Sequence, residues 1–529
     1  MTQFFFVEDD LDMAKNLKLV LCAFEKLSGL KINFHKSELF CFGETKDRVA
    51  EYVELFGCKE GVLPFRYLGI PMSPRKLANK DWSTIEERFQ KKLSSWKGKM
   101  LSLGGRLVLI NSILSSLPMF MLSFFRIPKG VLKKLDYYRS RFFWQCDEHK
   151  KKYRLARWSI LRKPKSVGGL GILDLDIQNK YLLSKWLFRL VNEDGMWQSI
   201  LKRKYLQNKT LTQVEKKKGH SHFWSGLMEV KDLFLRMGRF KIRDGTQTRF
   251  WEDLWLGDEP LMLAYPSLYR IVRKKNVTVA QVLSTCPLDV SFRRAVVGEN
   301  WSKWLKLVGS LLEVQLNRGS DSFVWMKSRT FSVNAMYNNI MIEEGVPRDI
   351  SLWKIKVPLK IKIFLWYLRQ GVILTKDNLA KRQWKGCTDC CFCGVQESIQ
   401  HLFFECPIAS LVWNAISITF GITKPRSASD LFGGWIGRFP LKQRNRVLLG
   451  IAAICWAIWL CRNDVVFQRS KPNSSLQVIF RAAYWIRSWS ILSKEEERDS
   501  LKEGCRTLEA AALEMFNDFG WNALRRIMS

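Results

Sequence analysis

The spacing of apolar and polar positions near the start of the chain predicts one strand and one helix. The run "QFFFV" (3–7) directly precedes an acidic cluster and predicts a short buried strand. Asp9 or Asp10 then stands at the N-cap of a helix, where a carboxylate accepts backbone hydrogen bonds and faces the positive end of the helix dipole. The helix itself follows from apolar residues that recur at three- and four-residue steps: Leu11, Ala14, Leu17, Leu21, Phe24 and Leu27.

Short strands then give way to long helical segments. "SGLKINFHKS" (28–37) predicts a glycine turn and a short strand, and "LPFRYLGIPMS" (63–73) predicts another strand between turn signals. From Trp82 to about Phe143 the pattern is helical, with interruptions at 102–106 and 126–130.

The rest of the chain mixes loops, aromatic core positions and helices. "KPKSVGGLGILDL" (163–175) predicts a Gly-rich loop that leads into a helix. The aromatic residues of 242–261 are predicted core, and no catalytic group is assigned to that region. His220 and His222 lack nearby cysteines or acids and are interpreted as part of a surface loop. After Cys406 the pattern is mainly helical.

Two apolar stretches resemble membrane spans in composition. The stretch 447–460 is too short to cross a bilayer, which takes about 20 residues. The stretch 107–125 is long enough, but it carries Asn111, Pro118 and four serines. Both are predicted to be buried helices, and no membrane partner is expected.

The positive charge of the chain is concentrated in the helical region. The chain of 529 residues has a formal net charge of +36, and residues 73–166 hold 23 Lys and Arg against six Asp and Glu. A surplus concentrated in this way favours a polyanionic partner, most simply RNA or DNA. The start of the chain has no signal-peptide pattern, and its 13 cysteines are odd in number, which predicts an intracellular protein, nuclear or cytoplasmic.

A cysteine-rich segment, "CTDCCFCGVQESIQHLFFEC" (387–406), predicts a metal site. Cys390 and Cys393 form a C-x2-C pair, and His401 and Cys406 follow about one helical turn apart. Three thiolates and an imidazole suit tetrahedral zinc, and four protein ligands make the metal structural. Cys387 and Cys391 compete for the first position, but Cys390 is preferred because one intervening residue between Cys391 and Cys393 strains the chelate.

Four ordered segments carry a resemblance to a known family: 28–37, 65–73, 93–118 and 168–175. They resemble the C-terminal half of the reverse transcriptase of plant non-LTR (LINE-type) retrotransposons. The spacing C-x2-C-x7-H-x4-C likewise resembles the zinc-binding domain that follows this reverse transcriptase. In that family a Tyr/Phe-Ala-Asp-Asp hairpin precedes the helix, and it would fall at about Met1 and Thr2. Asp9 and Asp10 come some eight residues too late to be that pair.

The resemblance implies roles for further residues. Lys36 matches the lysine proposed to protonate pyrophosphate, and it is vestigial if the metal-binding carboxylates are absent. Tyr67, Leu68 and Gly69 match the turn that grips the primer end. The thumb-like region offers phosphate contacts at Lys91, Lys92, Lys97, Lys99 and Arg106. Mg²⁺ is expected only if an intact polymerase domain is supplied.

The expected fold is mainly α with small α+β parts. The predicted segments are a palm remnant (1–75), a basic helical thumb (76–175), a connector (176–345), a zinc module (346–420) and a helical tail (421–529). The predicted function is that of a truncated reverse transcriptase, inactive alone, that binds RNA, DNA or an RNA–DNA hybrid. The alternatives are part of an active RNA-directed DNA polymerase whose N-terminal half is missing, or a non-functional relic. No ribonuclease H domain is expected.

Overall fold

The computed structural model describes residues 4–42, 47–63, 65–67, 70–73, 77–96, 100–144, 153–285, 287–325, 332–341, 351–467 and 476–519. It is mainly helical with a few short strands, which confirms the predicted fold class. The chain forms a small unit, Met1–Thr84 with Lys216–Met228, and a large unit, Ile85–Glu215 with Glu229–Ser529. The five predicted segments are a finer division than these units and stay a prediction.

The small unit combines two helices with short strand pairs. Its helices are Leu11–Ser28 and Val49–Phe56, with 3-10 turns at Phe34–Lys36 and Asn79–Trp82. Strand Glu38–Leu39 pairs in parallel with Lys59–Glu60, and Phe65–Tyr67 pairs in antiparallel fashion with Ile70–Met72. The segment 63–73 therefore contains two short strands where the sequence predicts one.

The first helix begins as predicted, at an aspartate cap. Asp10 is the N-cap, and its carboxylate accepts hydrogen bonds from the amides of Asp12 (2.8 Å) and Met13 (3.4 Å). Gly29 ends the helix with a φ of 70°, a left-handed conformation that glycine adopts without strain. The local capping signals in the sequence thus set both ends of this helix.

Two predicted strands of the small unit are wrong. Residues 4–7 form no strand and are exposed, Phe6 at 91 %. Residues 30–33 are irregular, and a 3-10 turn follows at Phe34–Lys36. An apolar run becomes a strand only where a neighbouring strand pairs with it, and no described strand pairs with either segment.

Several apolar residues of helix Leu11–Ser28 are open to solvent. Ala14 is its one buried residue, whereas Leu19 is 72 % exposed and Leu27 is 89 % exposed. Val20 and Phe24 are exposed as well. Leu11, Leu17 and Leu21 of the predicted stripe are half-buried, so the described residues leave mainly its C-terminal end, Phe24 and Leu27, uncovered.

The large unit opens with a helical region. Its helices are Ser83–Ser95, Leu103–Leu109, Met119–Phe124, Lys129–Trp144, Trp158–Arg162 and Leu175–Asn192, with a π turn at Ile110–Leu114. Ser102 caps the second of these, because its hydroxyl accepts from the Gly105 amide. The predicted Gly-rich loop is confirmed, and Gly169 leaves no room for a side chain, since a Cβ there would lie 1.9 Å from the Lys163 carbonyl.

The middle of the large unit packs aromatic residues against a short sheet. Its helices are Met196–Leu201, Leu261–Ala264, Pro266–Ile271, Val279–Leu283, Glu299–Leu312 and Val333–Met341. Helix His222–Leu235 begins in the Lys216–Met228 segment of the small unit and continues into the large unit. Strands Gly238–Lys241 and Ser322–Trp325 pair in antiparallel fashion, with Gly238 opposite Trp325. Phe250, Trp251 and Trp255 are buried, which confirms their predicted core role.

The last part of the chain is a helical assembly. Its helices are Ser351–Lys354, Leu359–Arg369, Lys376–Ala380, Pro407–Phe420, Ala428–Asp430, Leu441–Val466, Leu476–Ser490 and Glu495–Phe519, with π turns at His401–Glu405 and Leu431–Trp435. Helix Leu441–Val466 is long and apolar enough to cross a membrane, but 56 % of its most apolar window is buried inside the fold. That burial agrees with the predicted core helix.

Candidate metal centre

Four side chains of the cysteine-rich segment converge on one point. The ligand atoms of Cys390, Cys393, His401 and Cys406 all lie within 4.8 Å of one another. Cys390 Sγ lies 4.0 Å from Cys406 Sγ, and Cys393 Sγ lies 3.1 Å from His401 Nε2. Sulfur ligands about 2.3 Å from a tetrahedral zinc stand about 3.8 Å apart, so the donor atoms already have the spacing that this ion requires.

A tight turn carries the first two donors. Residues 389 and 396 form an antiparallel bridge, and the amide of Cys390 donates to the Val395 carbonyl at 2.6 Å. The amide of Gly394 donates back to the Cys390 carbonyl at 3.0 Å. Gly394 has a φ of 77°, so glycine is needed to close the turn. The turn brings Cys390 and Cys393 to the same side.

A helix start carries the other two donors. His401 opens the π turn His401–Glu405, and its amide donates to Ser398 Oγ at 3.0 Å. Cys406 is the N-cap of helix Pro407–Phe420, with proline at the first helical position. Cys406 therefore lies at the positive end of the helix dipole, where a metal-bound thiolate is stabilised.

Hydrogen bonds between the thiols set their acidity. Those from Cys391 and Cys406 lower the pKa of Cys390, whereas the pKa of Cys406 is raised because it donates to Cys390 and is buried. A divalent cation would compensate the negative charges of the thiolates that bind it.

The two competing cysteines do not join the cluster. Cys387 is exposed, and its sulfur lies 3.4 Å from Asp389 Oδ2. Cys391 Sγ contacts the carbonyl of Arg462 at 4.0 Å. The structure thus supports Cys390 as the first ligand.

A buried ion pair anchors the cysteine turn to helix Leu441–Val466. Arg462 Nη2 donates to Glu397 Oε1 at 2.7 Å, and Nε donates to Oε2 at 3.2 Å. Both side chains are almost fully buried, at 4 % and 0 % exposure. The Lys376 amide also donates to Glu397 Oε1, at 2.8 Å. Sequence reasoning misses this pair, although an arginine that follows the apolar run 447–460 is a signal for a buried partner.

Aromatic residues enclose the helix side of the centre. Phe403 and Phe404 are fully buried, and the Phe404 ring stacks on Trp413 with centroids 6.3 Å apart. The Trp413 indole donates to the Phe403 carbonyl at 2.9 Å. Trp384, by contrast, is 37 % exposed. Core packing is therefore the role of Phe404.

Comparison with known proteins agrees with this geometry. Residues 331–413, which include all four donors, match the family described as zinc-binding in reverse transcriptase. An uncharacterized mitochondrial protein of Arabidopsis thaliana is 32 % identical over 146 residues, which are 27 % of this chain and 95 % of that protein. The chain belongs to this reverse-transcriptase-related family. The Cys390–Cys393–His401–Cys406 site is its structural zinc site.

A longer relative extends the similarity. A putative ribonuclease H protein of Arabidopsis thaliana is 28 % identical over 364 residues, which are 64 % of this chain. The chain spans 56 % of the length of that relative. The similarity therefore covers much more of this reverse-transcriptase-related chain than the zinc domain alone.

The residues matched to polymerase roles lie in the small unit. Lys36 is exposed at the end of its 3-10 turn. Tyr67 ends strand Phe65–Tyr67, and its ring lies 4.5 Å from that of Phe4. Leu68 and Gly69 lie outside the described residues. The primer-grip assignment stays a prediction.

The predicted phosphate contacts divide into three groups. Lys91 and Lys92 are exposed on helix Ser83–Ser95, and Lys97 and Lys99 lie outside the described residues. Arg106 is only 7 % exposed, and its guanidinium donates to the carbonyls of Leu101 (2.9 Å) and Phe143 (3.2 Å). Arg106 thus ties parts of the helical region together, where the sequence predicts a solvent-facing contact.

Both aspartates near the start of the chain, Asp9 and Asp10, have structural partners. Asp10 caps its helix, and Asp9 accepts a hydrogen bond from the Tyr52 hydroxyl at 2.7 Å and lies 3.8 Å from Arg48 Nη1. Within the described part of the chain, the cysteine–histidine centre is the one group of three or more His, Cys, Asp or Glu side chains placed to hold a metal.

Proposed function

We propose that this chain is a truncated retrotransposon reverse transcriptase of the LINE type, which binds nucleic acid and lacks the carboxylates for DNA synthesis. The observation that carries the proposal is the role of Asp9 and Asp10. One is a helix cap and the other is hydrogen-bonded to Tyr52. Polymerases hold two metal ions between several carboxylates. Among the described residues, Asp9 and Asp10 belong to no group of three or more side chains that could hold a metal ion.

The zinc centre supports a binding role over a catalytic one. Its four protein donors complete a tetrahedral shell, and no position is left for a substrate or an activated water. Bound zinc supplies folding free energy and fixes the cysteine turn against helix Pro407–Phe420. The zinc centre therefore has a structural role, because it holds the cysteine turn and helix Pro407–Phe420 in a fixed arrangement.

Nucleic acid is the partner proposed for the basic surface. The net charge of +36 favours a polyanion, and Lys91 and Lys92 extend into solvent from one helix. Backbone phosphates attract such lysines without reading the sequence of bases. An RNA–DNA hybrid is the expected duplex for a reverse transcriptase relative.

The uncovered face of helix Leu11–Ser28 favours a second candidate. Phe24 and Leu27 at the end of the apolar stripe lie in solvent, and exposed apolar residues of this kind suit a surface that a further part of the protein covers, such as a sheet. The chain would then be part of an RNA-directed DNA polymerase whose other half supplies both the sheet and the metal-binding aspartates.

A primer-extension assay tests whether this chain synthesises DNA by itself. The chain, a primed RNA template and all four deoxynucleotides are incubated with Mg²⁺ or Mn²⁺, and we expect no extension. Asp9→Asn and Asp10→Asn serve as matched variants. Extension by the parent chain that both variants abolish would overturn the truncation proposal.

A binding assay tests the nucleic-acid part separately. We expect labelled RNA–DNA hybrid to bind with an affinity that falls steeply between about 50 and 200 mM salt. Lys91→Gln/Lys92→Gln is expected to weaken binding and to lower the salt dependence by about 1 to 2 in the log–log slope. Binding that does not respond to salt would contradict a phosphate-based contact.

A further inference from the structure

Two segments of the large unit hold six lysines and no acidic residue. The segment 163–166 reads "KPKS", and the segment 351–362 reads "SLWKIKVPLKIK". The first lies in the Gly-rich loop and the second spans the start of helix Leu359–Arg369. Among the described residues, none of these lysines forms an ion pair with an aspartate or glutamate: Lys163, Lys165, Lys354, Lys356, Lys360 and Lys362.

The two segments meet at Trp353. The Lys165 ammonium lies 5.0 Å from the centre of the Trp353 ring, and Lys362 Nζ donates to the Trp353 carbonyl at 2.7 Å. Trp353 is half-buried, while Lys165 and Lys356 are exposed. One aromatic side chain thus lies among cations that come from two separate parts of the chain.

The backbone around these lysines is held in place. The Trp366 indole donates to the Gly168 carbonyl at 2.8 Å, which attaches the Gly-rich loop to helix Leu359–Arg369. Gly104 lies so close to this helix that a Cβ would be 3.1 Å from the Lys360 amide nitrogen. The lysines therefore do not have to be gathered from mobile loops when an anion arrives.

The lysines are close enough for their positive charges to repel one another. Burial lowers the pKa of Lys362, and the neighbouring charges of Lys165 and Lys356 lower it further. Like charges held together without an acidic partner destabilise a fold, and a bound anion relieves that cost.

We propose that Lys165, Lys356 and Lys362, which we call the lysine cluster, bind successive phosphates of a single nucleic-acid strand beside Trp353. Proteins that hold single strands combine backbone-tracking cations with aromatic side chains on which bases stack. The cluster lies in the Gly-rich loop and the zinc domain, away from Lys91 and Lys92 in the sequence. This inference rests on the proposed nucleic-acid binding and adds a second, single-strand contact to it.

The test removes two exposed charges of the cluster and leaves Lys362, which bonds the backbone, in place. Lys165→Gln/Lys356→Gln is compared in the full chain with Lys241→Gln/Lys306→Gln, a control that removes two exposed lysines elsewhere in the large unit. Fluorescence anisotropy with a labelled thymidine homopolymer measures affinity at several salt concentrations. We expect the cluster variant to bind on the order of tenfold more weakly at about 0.1 M salt, with a slope smaller by about 1 to 2.

Photo-crosslinking gives an independent measurement. A bromouridine-containing strand is irradiated with the parent chain, and we expect cross-linked peptides from 351–366. Zinc content and thermal melting of both variants confirm that the fold is intact. Cross-links that map only outside 163–171 and 351–366 would overturn the proposal.

The outcomes separate this inference from the proposed function. If the parent chain binds no strand and no hybrid, nucleic-acid binding itself is wrong. If the parent binds and the two variants bind with equal affinity and equal slope, the cluster is not a contact and the wider function stands. Tripolyphosphate is the probe for a free-phosphate ligand. If it loses affinity in the cluster variant while homopolymer binding is unchanged, the cluster holds a small anion and the strand assignment is overturned.

Discussion

The zinc centre and the first helix differ in how much of their surroundings the described chain supplies. The zinc centre has all four donors in place, and neighbouring side chains such as Phe403 and Phe404 are buried. Helix Leu11–Ser28 is correctly formed and capped, yet it buries only Ala14. The chain itself therefore encloses the zinc centre, whereas it leaves Phe24 and Leu27 of the helix in solvent.

The two regions differ in whether neighbouring or distant residues of the sequence determine their structure. The donors lie within residues 390–406, so their arrangement depends on one turn and one helix start. The role of helix Leu11–Ser28 depends on partners far away in the chain or outside it.

Loss of a zinc ligand should have the largest effect. Cys406→Ser removes a thiolate from the closed shell, and we expect zinc content to fall from about one ion per chain to near zero. The lost binding free energy is on the order of 10 kcal/mol, and the surrounding helices should unfold at lower temperature. Atomic absorption and thermal melting measure both.

Cys387→Ser is the control for this experiment. Cys387 is an exposed cysteine three positions before Cys390, and it takes no part in the cluster. Zinc content should stay unchanged. A Cys406→Ser protein that keeps its full zinc content would show that the donor set is wrong.

Breaking the buried ion pair should have the next largest effect. Glu397→Ala leaves Arg462 charged, buried and unpaired, which costs about 3–5 kcal/mol of unfolding free energy. Urea denaturation followed by circular dichroism measures the change. Glu503→Ala, in the exposed pair with Arg506, should cost less than about 1 kcal/mol. Similar losses in the two variants would mean that the cysteine turn is not attached to helix Leu441–Val466 in this way.

Removal of the Asp10 cap should cause a smaller loss of stability, and it tests whether this aspartate has a structural role. Asp10→Ala should destabilise helix Leu11–Ser28 by about 1 kcal/mol, because the amides of Asp12 and Met13 lose their acceptor. Asp10→Asn keeps an oxygen at the cap and should be nearly neutral. Hydrogen exchange of the helix amides measures both. Equal damage by Asn and Ala would indicate that the carboxylate charge itself is required.

The smallest effect is predicted for the uncovered face. Leu27 is 89 % exposed, so Leu27→Ala should change stability by less than about 0.5 kcal/mol. Phe403→Ala, at a fully buried position near the zinc centre, should cost about 3–5 kcal/mol. A large loss for Leu27→Ala would show that the helix face is covered in solution, for instance by a second copy of the chain.

The sequence predicts features whose causes are local. The zinc ligands follow from spacing, and the Asp10 cap and the Gly29 end of the first helix follow from adjacent residues. Strand formation at 4–7 is wrong because apolar composition cannot tell whether a partner strand exists. The burial of Arg106 is missed because a lysine- and arginine-rich helical region gives no sign of which cation turns inward.

Long-range pairs are beyond such reasoning. Glu397 and Arg462 are 65 positions apart in the sequence, and the residues around each of them do not indicate which residue is its partner. The approach of Lys165 to Trp353 depends in the same way on how two distant segments pack. These contacts are set by tertiary packing, which no local periodicity encodes.

The compact span of the zinc donors has a consequence for biosynthesis. All four donors leave the ribosome before Arg462 is made, and closing so short a loop costs little chain entropy. The ion can therefore organise the cysteine turn while helix Leu441–Val466 is still being synthesised. That helix then emerges next to a finished surface with Glu397 already oriented by the Lys376 amide, and the carboxylate serves as the docking point for its arginine.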